Sequence, residues 1–169
     1  MLNEILYSTS MQKVLYFLLA HPDRKYYDRE VSRLAKIGRA AANYSLRTLI
    51  ETGLVKREKR GRMYFYYVSP EDPIIKQLKV TQNLVDIRPL LEKLKDTSLK
   101  VVLYGSSASG VNHAGSDIDL FILTRDPKEV KDFIYKSPLK EKLQYVITTP
   151  QDLVKLKKEN PVFYKEVSG

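Results

Sequence analysis

The first third of the chain places apolar residues at helical spacing, with charged residues between them. This pattern predicts a helix over Met11–Leu19, which ends before a proline. A second helix is predicted over Arg29–Lys36 with Asp28 as its N-cap, and a third over Arg39–Thr52. The N-terminal region is therefore expected to begin as a compact group of helices.

Two short runs follow the third predicted helix, and the second is rich in aromatic residues. They cover Leu54–Arg57 and Met63–Val68, and they predict two strands. The residues between them, Lys59–Arg62, comprise one glycine and three cations. The pattern therefore predicts a β-hairpin with a basic tip.

A proline-rich, acidic segment at residues 69–73 predicts a domain boundary. A helix is predicted from Ile74 toward Val85, and Pro89 is expected to interrupt or restart it. Apolar residues then continue at helical spacing, at Leu84, Ile87, Leu91 and Leu94. This stripe is interpreted either as core of a second domain or as the contact of a homodimer formed through residues 74–95.

The second half of the chain alternates between apolar runs typical of strands and amphipathic segments typical of helices. Strands are predicted over Leu99–Tyr104, Ile118–Thr124 and Leu143–Thr148, and helices over Lys128–Tyr135, Pro150–Lys158 and Pro161–Val167. We therefore predict a mixed α/β protein of the α+β class. Its domains are expected at residues 1–70, with a helical linker over 71–97 and a small α/β domain over 98–169.

Two aspartates, Asp117 and Asp119, stand at the start of the second strand predicted for the C-terminal domain. Because side chains alternate along a strand, both carboxylates are expected on the same side. Carboxylates this close repel each other unless one is protonated or a cation lies between them, and Mg²⁺ is bound by one or two carboxylates together with phosphate oxygens. The small residues of the turn Gly105–Gly110 can bring backbone N–H groups and hydroxyls close to phosphate.

The order Gly105-Ser106, a gap, and then Ser116-Asp117-Ile118-Asp119-Leu120 resembles the signature of the DNA polymerase β-like nucleotidyltransferase superfamily, and most of all its minimal nucleotidyltransferases. The resemblance implies that Asp117 and Asp119 are catalytic residues that hold Mg²⁺. It also implies that Gly105, Ser106 and Ser116 bind the nucleotide. The implied reaction is nucleotidyl transfer from an NTP.

The sequence departs from this signature at two positions. Ser109 stands where the resembled motif has an arginine, which removes a cation near the phosphates. The later strand, Leu143–Thr148, carries no third carboxylate, and its Gln144 cannot ionise. The sequence therefore favours binding of a magnesium–nucleotide complex over catalytic turnover.

Polar residues also form a stripe on the third predicted helix, because Arg39, Asn43 and Arg47 repeat every four residues. Three helices followed by a basic hairpin resemble the winged helix-turn-helix domain of archaeal and bacterial regulators. The resemblance covers about Ser8–Ser69 and is clearest in Leu46–Glu58.

This arrangement implies binding of double-stranded DNA. The third helix would lie in the major groove, where Arg39, Asn43 and Arg47 reach base edges. The basic hairpin would reach phosphates or the minor groove through Lys59, Arg60 and Arg62.

Charge is distributed unevenly between the two halves. The net charge is +9; residues 1–80 hold 15 lysines and arginines against 8 acids, a net +7, and residues 81–169 hold 14 against 12, a net +2. An N-terminal basic excess favours a nucleic-acid partner there. The sequence contains no cysteine and only two histidines, which excludes disulfides and argues against a thiolate or histidine-rich metal site.

No apolar run approaches the length that spans a bilayer, so we expect a cytoplasmic protein without a membrane partner. Three functions remain open. The first is a DNA-binding transcriptional regulator whose C-terminal domain binds Mg–nucleotide. The second is an active nucleotidyltransferase that modifies a protein, an RNA or a small molecule, which includes an antitoxin-like role with a toxin as partner. The third is an interaction scaffold without either activity.

Overall fold

The computed structural model describes residues 5–168. The helices are α1 (Ser10–Ala20), α2 (Asp28–Leu34), α3 (Arg39–Glu51), α4 (Pro73–Leu94), α5 (Gly105–Ser109), α6 (Pro127–Tyr135), α7 (Pro150–Glu159) and α8 (Pro161–Ser168). The strands are β1 (Tyr26–Tyr27), β2 (Lys56–Arg60), β3 (Met63–Tyr67), β4 (Ser98–Tyr104), β5 (Ile118–Thr124) and β6 (Leu143–Thr148). The predicted α+β class is confirmed. The chain divides into two compact units, residues 1–85 and 86–169.

The first unit packs α1, α2 and α3 against a three-stranded antiparallel sheet of order β1-β3-β2. α1 begins with a capping box, in which Gln12 N donates to Thr9 Oγ1 (3.2 Å) and Thr9 N donates to Gln12 Oε1 (3.0 Å). The core lies between the helices and the sheet, and its buried residues include Val14, Leu18, Val31, Leu46, Leu49 and Ile75.

Two local expectations for this unit differ from the structure. The helix α2 begins at Asp28 with Tyr27 as its N-cap, and it ends at Leu34 rather than Lys36. The strand β2 continues through Arg60, so Lys59 and Arg60 pair with β3 instead of forming the hairpin tip. Gly61 adopts a φ of +59°, which side chains disfavour, and this allows the chain to reverse in two residues.

The prediction that Pro89 interrupts the linking helix is wrong, because α4 runs without a break through that residue. A proline inside a helix costs about 3 kcal/mol, since it removes one backbone hydrogen bond. Ile87, Leu90 and Leu94 are all at most 3% exposed, and each buried side chain contributes about 1.5–3 kcal/mol. Their burial in the core of the second unit outweighs the lost bond.

The second unit is built on a three-stranded sheet of order β4-β5-β6, in which β5 pairs antiparallel with β4 and parallel with β6. Its core joins the end of α4 to the sheet and α6, through Ile87, Leu94, Leu120, Ile122, Val130 and Ile134. The stripe on α4 therefore contributes Ile87 and Leu94 to this core, whereas Leu84 is 43% exposed.

No helix between residues 5 and 168 is both long enough and apolar enough to cross a membrane.

Candidate functional site

Two acidic side chains and one amide share one face of the second sheet. Asp119 lies opposite Tyr104 of β4 and beside Gln144 of β6. Paired residues of neighbouring strands point to the same side, and Gln144 Nε2 donates to Asp117 Oδ2 at 3.3 Å. The carboxylates of Asp117 and Asp119 therefore lie on the same face, with the Gln144 amide beside them. We call this surface the acidic face.

The electrostatics of this face disfavour a second negative charge. Partial burial raises the pKa of Asp119, and the charges of Asp117 and Glu166 raise it further. Burial also raises the pKa of the Tyr104 hydroxyl, with a further contribution from Asp119. A divalent cation bound here would relieve the repulsion between the carboxylates.

Gly105 begins α5 directly against Asp119. Its φ is +66°, and a Cβ atom at this position would lie 2.6 Å from Asp119 Oδ2. Only glycine fits such a contact without a shift of the backbone or of the carboxylate. Two serine hydroxyls stabilise the turn. Ser109 Oγ donates to the Gly105 carbonyl (3.0 Å) inside the turn, and Ser107 Oγ donates to the carbonyl of Asp117 (3.2 Å). Ser106, which follows Gly105, is half-buried.

The loop that leads into β5 is closed by a short set of hydrogen bonds. His113 N donates to Ser116 Oγ (3.0 Å), and Gly115 N donates to His113 Nδ1 (3.2 Å). Ser116 thus accepts a bond from the loop and retains its own O–H for donation. Ser116 directly precedes Asp117 in the sequence, so this loop leads into the acidic face.

Among the described residues, Asp117 and Asp119 are the two carboxylates that lie together on this face. Within residues 5–168, no group of three or more aspartate, glutamate, histidine or cysteine side chains has the arrangement of a metal site. Asp152, the nearest acid after β6 in sequence, is engaged at the start of α7, where it accepts from Thr149 Oγ1 (2.8 Å), and that bond lowers its pKa. Asp117 and Asp119 still fit Mg²⁺, which completes its shell with water and phosphate oxygens.

Glu166, on α8, is a residue that the sequence analysis missed. α8 packs along β4: the Phe163 ring lies 5.4 Å from the Tyr104 ring, and Lys100 Nζ donates to the Ser168 carbonyl (2.7 Å). This packing brings the negative charge of Glu166 close enough to raise the pKa of Asp119. No local pattern marks Glu166, because its proximity depends on how the last helix returns to the sheet.

The first unit presents the predicted polar stripe on α3. Arg39, Asn43 and Arg47 are all exposed, and Arg39 Nη2 lies 3.3 Å from Asp28 Oδ2 in an ion pair. An open cleft lies between α3 and the hairpin of β2 and β3, lined by Asn43, Arg47, Ile50, Glu51, Arg57 and Tyr66.

The three predicted cations of the hairpin have different surroundings. All three are exposed, and Arg60 Nε donates to Glu58 Oε1 at 2.6 Å. Lys25 Nζ also donates to Glu58. The bonds from Arg60 and then Lys25 lower the pKa of Glu58 to about 2.

Comparison with curated proteins finds no match. Among solved structures, the DNA-binding protein Sso10a-2 from Sulfolobus solfataricus is 17% identical, with a TM-score of 0.38 over 50% of this chain and 86% of that one. Human N-acetylserotonin methyltransferase, solved in complex with SAM, is also 17% identical, with a TM-score of 0.32 over 56% of this chain and 34% of its own. Residues 74–169 match the family described as "Polymerase beta, Nucleotidyltransferase". The match covers more than half of the sequence and includes the whole acidic face, and the chain therefore belongs to the polymerase beta nucleotidyltransferase family.

Proposed function

We propose that the protein is a DNA-binding transcriptional regulator whose C-terminal unit binds a magnesium–nucleotide complex. The proposal that this unit binds a nucleotide rests on the close approach of Gly105 to Asp119. A Cβ at Gly105 would lie 2.6 Å from Asp119 Oδ2, so the glycine turn stands directly against a carboxylate that fits Mg²⁺. Phosphate oxygens bound by the turn would then be adjacent to the cation.

Each residue has a defined role in this proposal. Asp117 and Asp119 would hold Mg²⁺, which when bound neutralises the charge of the triphosphate. The Ser106 and Ser116 hydroxyls would donate to phosphate oxygens, and the backbone of Gly105 would approach them closely. Gln144 donates to Asp117 Oδ2 (3.3 Å) and keeps that carboxylate oriented toward the shared face.

Gln144 is also the reason to favour binding over turnover. An amide cannot take a proton from an attacking hydroxyl, and it adds no negative charge to hold a second cation. A C-terminal unit that binds nucleotide without consuming it would suit a sensor that controls the DNA-binding unit.

An active nucleotidyltransferase is the second candidate, and Glu166 favours it. Its charge acts on Asp119 from α8, so the site has a third carboxylate nearby that does not come from β6. The acceptor would be a protein, an RNA or a small molecule, and a toxin-like protein partner belongs to this alternative.

Isothermal titration with ATP, GTP, CTP and UTP in the presence of Mg²⁺ tests the nucleotide site. We expect one of these nucleotides to bind the wild type and Asp119→Asn to weaken it at least tenfold. Asp132→Asn, an exposed position on α6, is the matched control and should bind like the wild type. Failure of all four nucleotides to bind would contradict the proposal.

Label transfer separates the two candidates. The wild type and Asp119→Asn are each incubated with Mg²⁺ and with ATP labelled at the α-phosphate. Cell extract is added as a source of acceptors. Labelled product in the wild type that is absent with Asp119→Asn would favour the enzyme. Nucleotide binding without labelled product would favour the regulator.

The DNA-binding part of the proposal assigns a winged helix-turn-helix fold to the first unit. Three helices followed by an antiparallel β-hairpin, with β1 on the same sheet, support this assignment. α3 would enter the major groove with its exposed residues Arg39, Asn43 and Arg47, and Lys59, Arg60 and Arg62 are the candidate contacts of the hairpin.

Fluorescence anisotropy with a mixed-sequence duplex tests this part. Binding should weaken steeply between 50 and 200 mM salt, on the order of a factor of 10 or more, because phosphate contacts release counterions. Arg47→Gln should weaken binding, while Lys131→Gln in the second unit should not. Absence of any salt-sensitive binding to duplex DNA would contradict the proposal.

A homodimer through residues 74–95 belongs to the same proposal, since regulators of this kind commonly bind two-fold sites. On α4, Ile74 and Leu84 are 59% and 43% exposed and are the apolar side chains that remain for such a contact. Light scattering at micromolar concentration should give twice the chain mass. A monomer would contradict the proposed homodimer and would leave the proposals on nucleotide binding and DNA binding unaffected.

A further inference from the structure

The hairpin of β2 and β3 has two faces of different character. Opposite residues in an antiparallel pair point to the same side, and the register pairs Arg57 with Tyr66 and Lys59 with Tyr64. These four residues form what we call the inner face. The outer face consists of the alternate residues, Lys56, Glu58, Arg60, Met63, Phe65 and Tyr67.

The inner face is the one turned toward α3. Arg57 and Tyr66 line the same cleft as Asn43 and Arg47. Tyr66 packs against the core of the first unit, and the Arg57 guanidinium lies 4.9 Å from the centre of the Tyr64 ring. The polar stripe of α3 and the inner face therefore form the two walls of one cleft.

On the outer face, Arg60 is already paired with a carboxylate. Glu58 accepts from Arg60 Nε (2.6 Å) and from Lys25 Nζ. Arg60 also lies over the Phe65 ring, and the distance from its guanidinium to the ring centre is 5.3 Å. In the cleft, by contrast, neither Arg47 nor Arg57 forms a salt bridge with any residue of the described chain.

We propose that one sugar–phosphate strand of duplex DNA lies over this cleft, with its phosphates bound by Arg47 and Arg57. Lys59 of the inner face extends the contact. This inference rests on the proposed DNA-binding function and adds Arg57, a contact that the sequence analysis did not identify.

The geometry of DNA supplies the reason. The major and minor grooves are separated by a sugar–phosphate strand. If α3 lies in the major groove and the hairpin meets the adjoining minor groove, that strand passes between them, over the cleft. Arginine presents several N–H donors in a plane and binds phosphate with two of them, and the cleft holds two arginines against one acid, Glu51.

Salt dependence of DNA binding tests the proposal, using the full chain and a 20-base-pair duplex between 50 and 300 mM KCl. Each phosphate contact contributes about 0.9 to the slope of log K against log salt. Arg57→Gln should lower the magnitude of the slope by about 0.9. Lys56→Gln removes the same charge from the other face of the same hairpin, and it should leave the slope unchanged.

Several results would overturn the inference. A reduced slope for Lys56→Gln, or an unchanged slope for Arg57→Gln, would place the phosphate contact elsewhere. Tighter binding to duplex RNA than to duplex DNA would also overturn it, because the A-form major groove does not admit a helix. Arg57→Lys retains the charge and should restore the slope, which separates loss of a phosphate contact from loss of the folded hairpin.

Failure of the inference and failure of the proposed function give different results. A wild type that shows no salt-dependent duplex binding removes both. A wild type that binds DNA with an unchanged slope in Arg57→Gln removes only the assignment of the cleft.

Discussion

Gln144 occupies the position on β6 that lies beside Asp119, and its amide donates to Asp117 Oδ2 at 3.3 Å. The resemblance to nucleotidyltransferases implies a third carboxylate on a later core strand. Here the side chain on β6 beside Asp119 is a neutral amide, which donates a hydrogen bond to one carboxylate instead of repelling it. Glutamine differs from glutamate only in having an amide NH₂ in place of one carboxylate oxygen. This difference determines how many negative charges the face carries.

Gln144→Glu should make the unit more dependent on magnesium. Without the cation, a third carboxylate beside Asp117 and Asp119 repels both and lowers the melting temperature. With millimolar Mg²⁺, tighter binding to the folded state should raise the melting temperature more in the variant than in the wild type. Thermal unfolding with and without Mg²⁺ measures this, and Gln151→Glu, an exposed position on α7, is the control. An equal response of the variant and the wild type to Mg²⁺ would show that Gln144 does not belong to the site.

At the scale of the elements, the hairpin carries two ion pairs that share Glu58. Glu58 on β2 joins Arg60 of the same strand to Lys25, which precedes β1. The pairs are exposed, and such pairs usually contribute little to stability. They link the outer face of the hairpin to the segment before β1.

Stability should therefore change with pH below neutrality through Glu58. Its pKa is lowered from 4.5 to about 2, chiefly by the Arg60 bond. A lowered folded-state pKa gives a stabilising contribution that is present above pH about 4.5 and disappears as the pH falls toward about 2. Urea unfolding should show the wild type exceeding Glu58→Gln in free energy of unfolding at pH 6, with the difference shrinking across that window.

The control for this prediction removes the main partner of the carboxylate. In an Arg60→Gln background, the effect of Glu58→Gln should depend less on pH, because the largest cause of the lowered pKa is gone. A pH dependence that stays the same in this background would assign the effect to other groups.

At the scale of the whole molecule, each unit closes its own core. The buried residues of one cluster run from Val14 to Ile75, and those of the other from Ile87 to Leu143. α4 contributes to both, since Ile75 belongs to the first cluster and Leu94 to the second. The division of the chain at 85 and 86 therefore falls inside a helix and not in a loop.

Core substitutions should consequently act within one unit. Leu46→Ala and Leu120→Ala each truncate a side chain that is at most 1% exposed, and each should cost about 2–5 kcal/mol. Hydrogen exchange with peptide-level detection should show faster exchange in α1–α3 for the first variant and in β4–β6 for the second. Equal acceleration in both units for either variant would contradict the separation of the two cores.

Much of the fold could be predicted from local pattern, because helical and strand periodicity is a property of neighbouring residues. The positions of α1, α3, β3, β5 and β6 all follow from it, with ends displaced by a residue or two. The continuity of α4 could not be predicted in this way. Whether Pro89 breaks the helix depends on the burial of Ile87 and Leu90, which is a tertiary property.

The sequence by itself determined the pair Asp117 and Asp119, the glycine turn before them and the stripe on α3, since each is a spacing within one segment. Tertiary structure alone decided that Gln144 bonds Asp117, that the charge of Glu166 reaches Asp119, and that Arg57 faces α3 while Arg60 faces away. These contacts join residues far apart in the chain. Their distances are set by strand register and helix packing, which no local pattern encodes.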